Sequence, residues 1–213
     1  MTEPTSPSGT IVVSGTGRVT VDPDTAELRL GVSISRPTVA AARAAAAEAM
    51  AAILAAVAGA GVDRRDVRTT TLSVQPRYDY RDGKPPSLTG YDLANVVIVT
   101  VRDLAGLGGV IDGALTAGAT SLDGLAFRVE DPREPERTAR TAAVAEARER
   151  AEVLAEAAGV RIAGVSDIVE GGPPPTSPQP KAARAMLAAD AGTPVEAGTT
   201  EIAVTVTVTF RLA

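Results

Sequence analysis

Few side chains of this 213-residue chain could carry chemistry, because it contains no histidine and no cysteine. Without cysteine it has no disulfide, no thiol nucleophile and no thiolate metal site. Without histidine it lacks the usual general base at neutral pH and the commonest metal ligand. Catalysis would depend on carboxylates, lysine, tyrosine, serine or threonine, and none of these form a catalytic cluster. The sequence predicts a protein that is not an enzyme and that holds no cofactor or metal.

The aromatic residues point to a different kind of site. All three tyrosines lie within residues 69–102, in a chain that is 2% aromatic. Aromatic side chains anchor interfaces, so we expect Tyr78 and Tyr91 to be mostly buried, in the core or at a subunit contact; ligand binding is the alternative. We expect Asn95 to hydrogen-bond a turn. The candidate interface or ligand platform is Tyr78, Tyr80, Tyr91 and Asn95.

Other candidate sites have simpler interpretations. Asp22-Pro23-Asp24 offers two carboxylates without a third ligand, so a turn is favoured over a cation site. Gly15-Thr16-Gly17 lacks the third glycine of a dinucleotide loop and predicts a bulge or tight turn between two short strands. The two lysines, Lys84 and Lys181, lie beside prolines in predicted loops, whereas a catalytic lysine needs burial to lower its pKa.

Charge and hydropathy exclude several partners. The net charge is −5 and the pI is about 4.9, so no positive field attracts nucleic acid. No run approaches the roughly 18 apolar residues of a membrane helix, so we expect no membrane insertion. The first ten residues lack a basic region and an apolar region, which predicts a cytoplasmic protein.

Periodicity predicts three helices. The first follows the N-cap Thr38 and ends near Ala58, with an apolar stripe of Met50, Ile53, Leu54 and Val57. The second runs from Leu104 to Thr116 after Asp103, with Leu107, Ile111 and Leu115 on one side. The third starts at 131–134 and ends at Gly159, with Val144, Ala147, Ala151, Leu154 and Ala158 on one side and a Glu146–Arg150 pair on the other.

Between the helices, β-rich runs predict strands. Thr69–Val74 and Ala94–Val101 form a hairpin around Asp82-Gly83 and Pro85-Pro86. The last strand, 201–210, alternates valine with threonine and contains no lysine or proline to protect an edge. The remaining predicted strands are 11–13, 18–21, 26–33, 122–130 and 160–169, and the candidate oligomer contact is Thr205, Thr207 and Thr209.

The order of these elements predicts an α+β fold. An antiparallel-rich sheet carries three main helices, and two helix–Gly-Val–strand segments indicate a loose internal α–β duplication. We expect a disordered N-terminal tail over residues 1–9 and one domain over 10–213. That domain contains a proline-rich loop or linker at 171–200 with a short helix around 182–189.

Motifs spread from Ile11 to Leu212 resemble the SIMPL-domain family of bacterial periplasmic immunogenic and oxidative-stress-associated proteins. Each motif is unspecific alone, but their order and coverage carry the resemblance. They are Gly15-x-Gly17-x-Val19-x-Val21-x-Pro23-Asp24-x-Ala26, Gly61-Val62 with Asp66-Val67-x-Thr69, Pro76-x-Tyr78-x-Tyr80, Gly90-Tyr91 with Asn95, Ala142-Ala143-Val144-x-x-Ala147, Ala151-x-x-Leu154-Ala155 with Gly159, and Thr193-Pro194-Val195-Glu196-x-Gly198.

The resemblance implies an α+β fold, ring-like homo-oligomers and no established enzymatic activity. Family members are typically exported, whereas the start of this sequence predicts the cytoplasm. Two functions follow as hypotheses. The first is a non-enzymatic oligomeric scaffold or stress-protective protein. The alternative is a small-molecule or peptide/protein-binding module, an adaptor, that uses the tyrosine hairpin 69–102.

Overall fold

The computed structural model describes residues 9–80, 85–171 and 193–213. The predictions for the tail before residue 9, for Asp82-Gly83, for Lys84 and Lys181, and for most of the proline-rich segment with its short helix lie outside these residues. The chain divides into two compact units. Of the described residues, the three-stranded unit combines 9–22, 131–171 and 199–213, and the four-stranded unit combines 23–80, 85–130 and 193–198.

The four-stranded unit contains an antiparallel sheet in the order β3-β4-β2-β5. Its strands are β2 (Thr25–Arg36), β3 (Val67–Asp79), β4 (Ser87–Val101) and β5 (Ser121–Arg128). Its helices are α1 (Val39–Gly59) and α2 (Leu107–Thr116), and α2 follows a 3₁₀ turn over Leu104–Gly106. β3 and β4 form the predicted hairpin, with both strands longer than the sequence indicated.

Helix α1 begins where the sequence predicts. The Thr38 hydroxyl accepts a hydrogen bond from the backbone N–H of Ala41 at 3.2 Å, which satisfies one of the unpaired donors of the first turn. Its buried face contains Ala42, Ala46, Met50, Ile53 and Val57. The prediction that Leu54 belongs to this face is wrong, since its side chain is 37% exposed.

The core of this unit consists of branched aliphatic side chains. Alternate residues of β2 and β4 face α1 and α2, because successive strand side chains point to opposite faces. Full burial of one such side chain contributes about 1.5–3 kcal/mol. Among the fully buried residues are Leu28, Leu30, Val32, Ile53, Val57, Val97, Val99, Leu107 and Val110. Leu115 of α2, predicted on the buried side, is 44% exposed.

The three-stranded unit contains an antiparallel sheet in the order β1-β7-β6. Its elements are β1 (Thr10–Val21), α3 (Arg133–Ala158), β6 (Ile162–Glu170) and β7 (Thr200–Leu212). β1 continues through Gly15-Thr16-Gly17, so the prediction of two short strands around a turn is wrong. The glycines are needed for packing, not for a turn.

Helix α3 lies against Gly15 and Gly17 at backbone distance. A Cβ at Gly17 would overlap the Ala139 carbonyl oxygen and lie 2.7 Å from the Ala143 nitrogen. A Cβ at Gly15 would overlap the Ala143 carbonyl oxygen and lie 2.6 Å from the Ala147 nitrogen. Strand and helix can approach this closely only where neither carries a larger side chain.

The buried face of α3 is made of alanines spaced four residues apart, which differs from the predicted face. Leu154 is 50% exposed, while the buried residues are Ala139, Ala143, Ala147, Ala151 and Ala155. The helix begins at Arg133, within the predicted range, and Pro135 lies in its first turn. The opposing side of the core comes from Val206, Val208 and Phe210 of β7.

The two longest helices end in the same way. Gly61 after α1 has φ 88° and Gly159 after α3 has φ 69°, the left-handed conformation that glycine adopts without strain. The next residue then bonds back to the last turn, from Val62 N–H to the Val57 oxygen and from Val160 N–H to the Ala155 oxygen. Each helix then leads to an edge strand, β3 or β6. These features fit the predicted duplication, and two antiparallel sheets with three helices confirm the α+β class.

Among the described residues, α1 alone is long and apolar enough to cross a membrane by length and composition. Its 21 residues have a mean hydropathy of 1.6 in their best window, because alanine fills most positions. Core helices have the same properties, and α1 packs Met50, Ile53 and Val57 into the core of its unit.

Candidate functional site

The β3–β4 hairpin exposes large apolar side chains in the middle of β3, at and just after its end, and at the start of β4. β3 is the edge strand of its sheet and pairs with β4 alone. The pairing shifts register between Thr69 and Thr71 and between Arg77 and Tyr78. We call the exposed group the hairpin patch: Leu72 (69% exposed), Val74 (39%), Tyr78 (44%), Tyr80 (76%) and Leu88 (50%).

The structure brings two of the three tyrosines together. The ring centroids of Tyr78 and Tyr80 are 6.4 Å apart, and the ring planes are inclined by 57°. Tyr78 lies opposite Leu88, whereas Tyr91 lies opposite Pro76 and is half-buried. Within one chain Tyr78 is therefore not mostly buried, and its burial at a subunit contact stays a prediction.

Asn95, the fourth residue of the predicted platform, does not bond a turn. Its Oδ1 atom is buried and has no hydrogen-bond partner among the described residues, so that prediction is wrong. Asn95 lies opposite Val32 on one side and Leu72 on the other. An unpaired buried acceptor costs about 1–3 kcal/mol, which stabilising packing elsewhere must offset.

The predicted threonine contact lies on β7, the middle strand of the three-stranded sheet. Thr205, Thr207 and Thr209 are half-buried and point away from the valines that face α3. Thr207 pairs with the Ser14 hydroxyl at 3.0 Å, and Thr205 pairs with the Thr16 hydroxyl at 3.2 Å. β1 and β6 cover both edges of β7, so of the two predicted kinds of contact, a sheet surface or an edge, only the surface is available on this strand.

The outer edge of β1 is covered by side chains of α3. Glu146 accepts a hydrogen bond from the backbone N–H of Thr16, and Arg150 donates to the backbone oxygen of Ser14 at 2.8 Å. The two side chains also pair with each other at 2.6 Å. The sequence predicts the Glu146–Arg150 pair from its spacing, but not its backbone partners, because these depend on how close α3 lies to β1.

Residues 11–210 match the model of the SIMPL family, which is described as a family of proteins of unknown function. The chain belongs to the SIMPL family. It is 37% identical to the 26 kDa periplasmic immunogenic protein of Brucella melitensis over 95% of this chain and 84% of the relative. It is 35% identical to the uncharacterised protein YggE of Escherichia coli K12 over 68% of this chain and 58% of that protein. YggE of Edwardsiella ictaluri is 30% identical over 74% of the chain and 66% of the relative.

These SIMPL relatives overturn the prediction of a cytoplasmic protein. The Brucella melitensis and Brucella abortus proteins, each 37% identical over 95% of this chain, are named as periplasmic. The prediction was wrong because it depended only on the lack of a basic region and an apolar region in ten N-terminal residues. The whole chain, which has no cysteine and a net charge of −5, suits either compartment.

One of the two carboxylates considered for a cation, that of Asp24, makes a local hydrogen bond in this SIMPL chain. Asp24 accepts a hydrogen bond from the Glu130 backbone N–H at 2.7 Å, which joins the start of β2 to the residues after β5. Hydrogen bonds from Arg102 to Glu130 and to Asp66 raise the pKa of Arg102 above its ordinary value. Within the described parts of the chain, no three carboxylates come together as a metal-binding group.

Proposed function

We propose that this SIMPL-family chain is a non-enzymatic scaffold that self-associates through the hairpin patch. The observation that carries this proposal is the exposure of Leu72, Tyr78, Tyr80 and Leu88 on one hairpin. Monomeric proteins rarely expose contiguous apolar groups of this kind unless a partner covers them. Tyrosine is enriched among the residues that contribute most to binding at interfaces.

A second copy of the chain is the partner that the patch fits best. Each copy brings the same apolar group, and a two-fold contact needs one patch that complements itself. Backbone pairing through the β3 edge is less favourable. Pro76 has no N–H to donate there, and Arg68 and Arg77 place charges on the strand. The contact is therefore made by side chains.

The threonine face of β7 is the second candidate contact. Thr205 and Thr207 already pair with hydroxyls of β1, so a neighbouring chain would find few unsatisfied groups there. Burial of hydroxyl groups also contributes less than burial of apolar area. We therefore rank this face below the hairpin patch.

Molar mass in solution tests the proposal. The wild-type protein is expected to form oligomers at high micromolar concentration, measured by light scattering, with circular dichroism to monitor folding. The double variant Tyr80→Glu with Leu88→Glu is expected to shift the mass to smaller species without loss of secondary structure. Leu115→Glu, at a 44% exposed position of α2 away from the patch, is the matched control and should leave the mass unchanged.

Three outcomes count against the proposal. A wild-type protein that is monomeric at high micromolar concentration contradicts self-association. If Thr205→Asp with Thr207→Asp lowers the mass while the hairpin variant does not, the threonine face is the contact. An oligomer that neither double variant alters would exclude both surfaces.

The names of the Brucella relatives support a periplasmic location for this scaffold. Fractionation of cells that express the whole native gene tests this part of the proposal. Release of the protein with the periplasmic fraction is the expected result, and retention with cytoplasmic markers would contradict it.

The binding-module hypothesis remains the alternative function. It predicts that the hairpin variant loses a protein or peptide ligand while its own molar mass stays that of the wild type. A pull-down from extracts of the native cell, with the hairpin double variant and the Thr205→Asp with Thr207→Asp variant as baits, separates this result from self-association.

A further inference from the structure

A groove of the four-stranded unit is not used by the proposed scaffold function. It lies between α1 and the start of the β3–β4 pair and has a volume of about 570 Å³. Small-molecule sites commonly have volumes of roughly 300–1,000 Å³. The space is therefore large enough for a ligand of many atoms.

The walls of the groove are apolar because α1 has a second apolar stripe beside its buried one. Leu54, Ala55 and Ala58 follow the helical spacing i, i+1, i+4 and line one wall. Val67 lies on the opposite wall, and Val97, which is 2% exposed, lies in the core beneath. The alanines leave the space that larger side chains would fill.

The lining includes one cationic residue, Arg64. Arg64 makes no ion pair or side-chain hydrogen bond with the described residues, whereas its neighbour Arg65 pairs with Asp63 at 3.1 Å. Asp66, at the end of the same 3₁₀ turn, is paired with Arg102. The acidic residues beside Arg64 are thus already neutralised by other arginines.

Thr69 also lines the groove, and its hydroxyl is not hydrogen-bonded to any described residue. The Arg64 guanidinium and the Thr69 hydroxyl therefore have no partner among the described residues, and the walls beside them are apolar. Such a site complements a ligand with an apolar body and an anionic end that accepts hydrogen bonds. Carboxylates bind arginine through two parallel hydrogen bonds, which are stronger than neutral ones.

We propose that this groove binds an amphiphile with a single hydrocarbon chain and a carboxylate head. Leu54, Ala55 and Val67 contact the chain, and Arg64 and Thr69 hold the carboxylate. Charge complementarity with Arg64 favours this ligand over a cationic or uncharged amphiphile. The site does not involve the hairpin patch, so it goes beyond the scaffold function and does not depend on it.

Titration with decanoate, kept below its micelle concentration, tests the proposal. Isothermal calorimetry on the full chain should show saturable binding, with weaker binding of hexanoate and none of decyltrimethylammonium. Arg64→Gln should weaken decanoate binding about tenfold or more, because a hydrogen bond to a charged group is lost. Arg65→Gln removes the same charge from the adjacent residue and should bind like the wild type.

A second variant tests the apolar part of the groove. Ala55→Phe fills the space from an exposed helix position and should abolish decanoate binding while the circular dichroism spectrum stays that of the wild type. No binding by the wild type, equal binding by Arg64→Gln and Arg65→Gln, or unchanged binding by Ala55→Phe would each overturn the proposal. If the wild type does not bind decanoate but Ala55→Phe changes the molar mass of the protein, the groove is a contact between copies of the chain instead.

Discussion

The two sheets of this chain hold their helices by different physical means. In the three-stranded unit, the backbones of α3 and β1 nearly touch, because Gly15 and Gly17 face Ala139, Ala143 and Ala147. In the four-stranded unit, branched aliphatic residues such as Leu28, Leu30 and Ile53 separate α1 from the sheet. In the first arrangement, an added side-chain atom at the contact should destabilise the fold. In the second, removal of side-chain atoms from the core should destabilise it.

The exposed edges of the two sheets differ as well. Glu146 and Arg150 bond to the outward backbone groups of β1, so another strand cannot pair at that point. β3 has Pro76 and a group of apolar side chains in place of such a cover. Side chains of α3 therefore protect this edge of the three-stranded unit, whereas the hairpin of the four-stranded unit leaves its apolar side chains exposed for the proposed self-association.

The largest effect is expected where the backbones nearly touch. Gly17→Ala places a Cβ on the Ala139 carbonyl oxygen, which must move α3 away from β1. We expect a loss of about 3 kcal/mol or more in the free energy of unfolding, measured by urea denaturation. Gly113→Ala is the control: its new Cβ meets no atom within 4 Å, and alanine favours a helix interior by about 1 kcal/mol. Equal stability of the two variants would mean that α3 does not lie this close to β1.

The next effect tests the aliphatic core through two adjacent residues of α1. Ile53 is fully buried and Leu54 is 37% exposed. Ile53→Ala should lower the free energy of unfolding by about 2–5 kcal/mol, because it leaves a cavity. Leu54→Ala should change it by less than about 1 kcal/mol, since surface substitutions have small effects. Similar losses of unfolding free energy in both variants would mean that Leu54 belongs to the buried face of α1, as the sequence predicts.

A smaller effect is expected at the edge of β1 that Glu146 and Arg150 cover. Glu146→Ala removes the acceptor of the Thr16 N–H and should cost about 1 kcal/mol in thermal or urea unfolding. It should also increase concentration-dependent association, seen by light scattering, because the edge is opened. Glu152→Ala breaks an exposed pair with Arg148 at 4.0 Å and serves as the control, with a change near zero. No difference between the two variants would show that Glu146 does not protect the edge.

Much of the fold follows from local sequence signals. Thr38 and Gly61 mark the ends of α1, Gly159 marks the end of α3, and the hairpin follows from its β-rich runs. The glycines of β1 were misinterpreted because a glycine in a strand indicates either a bulge or a close backbone approach. The identity of the opposing residues, Ala139 and Ala143, is known only once α3 is placed.

The candidate site could be located from the sequence, but its exposure could not. The clustering of the tyrosines identified the hairpin, while aromatic composition favoured burial and the structure exposes Tyr80. The sequence pattern places Leu54 in the core, because helical spacing does not fix the outer limit of a buried stripe. The missing partner of Asn95 depends on side chains from other strands, which no local pattern specifies.

The smallest effect concerns a single charge at the start of α3, in the three-stranded unit. Hydrogen bonds from the Arg133 side chain and from its backbone N–H lower the pKa of Asp131 from its ordinary value of 3.8 to about 2. Because the folded pKa lies below the unfolded one, this interaction stabilises the fold fully above the ordinary value and is lost as the pH falls through about 2. Carbon-13 NMR should therefore show Asp131 titrating near pH 2 in the wild type and closer to 3.8 in Arg133→Gln. Arg137→Gln, which breaks the neighbouring pair with Glu134, is the control and should leave the titration of Asp131 where it was. Since both partners are exposed to solvent, the effect on stability should be small and should weaken further with added salt. An Asp131 that titrates at its ordinary pKa in the wild type would show that the Arg133 contact does not persist in solution.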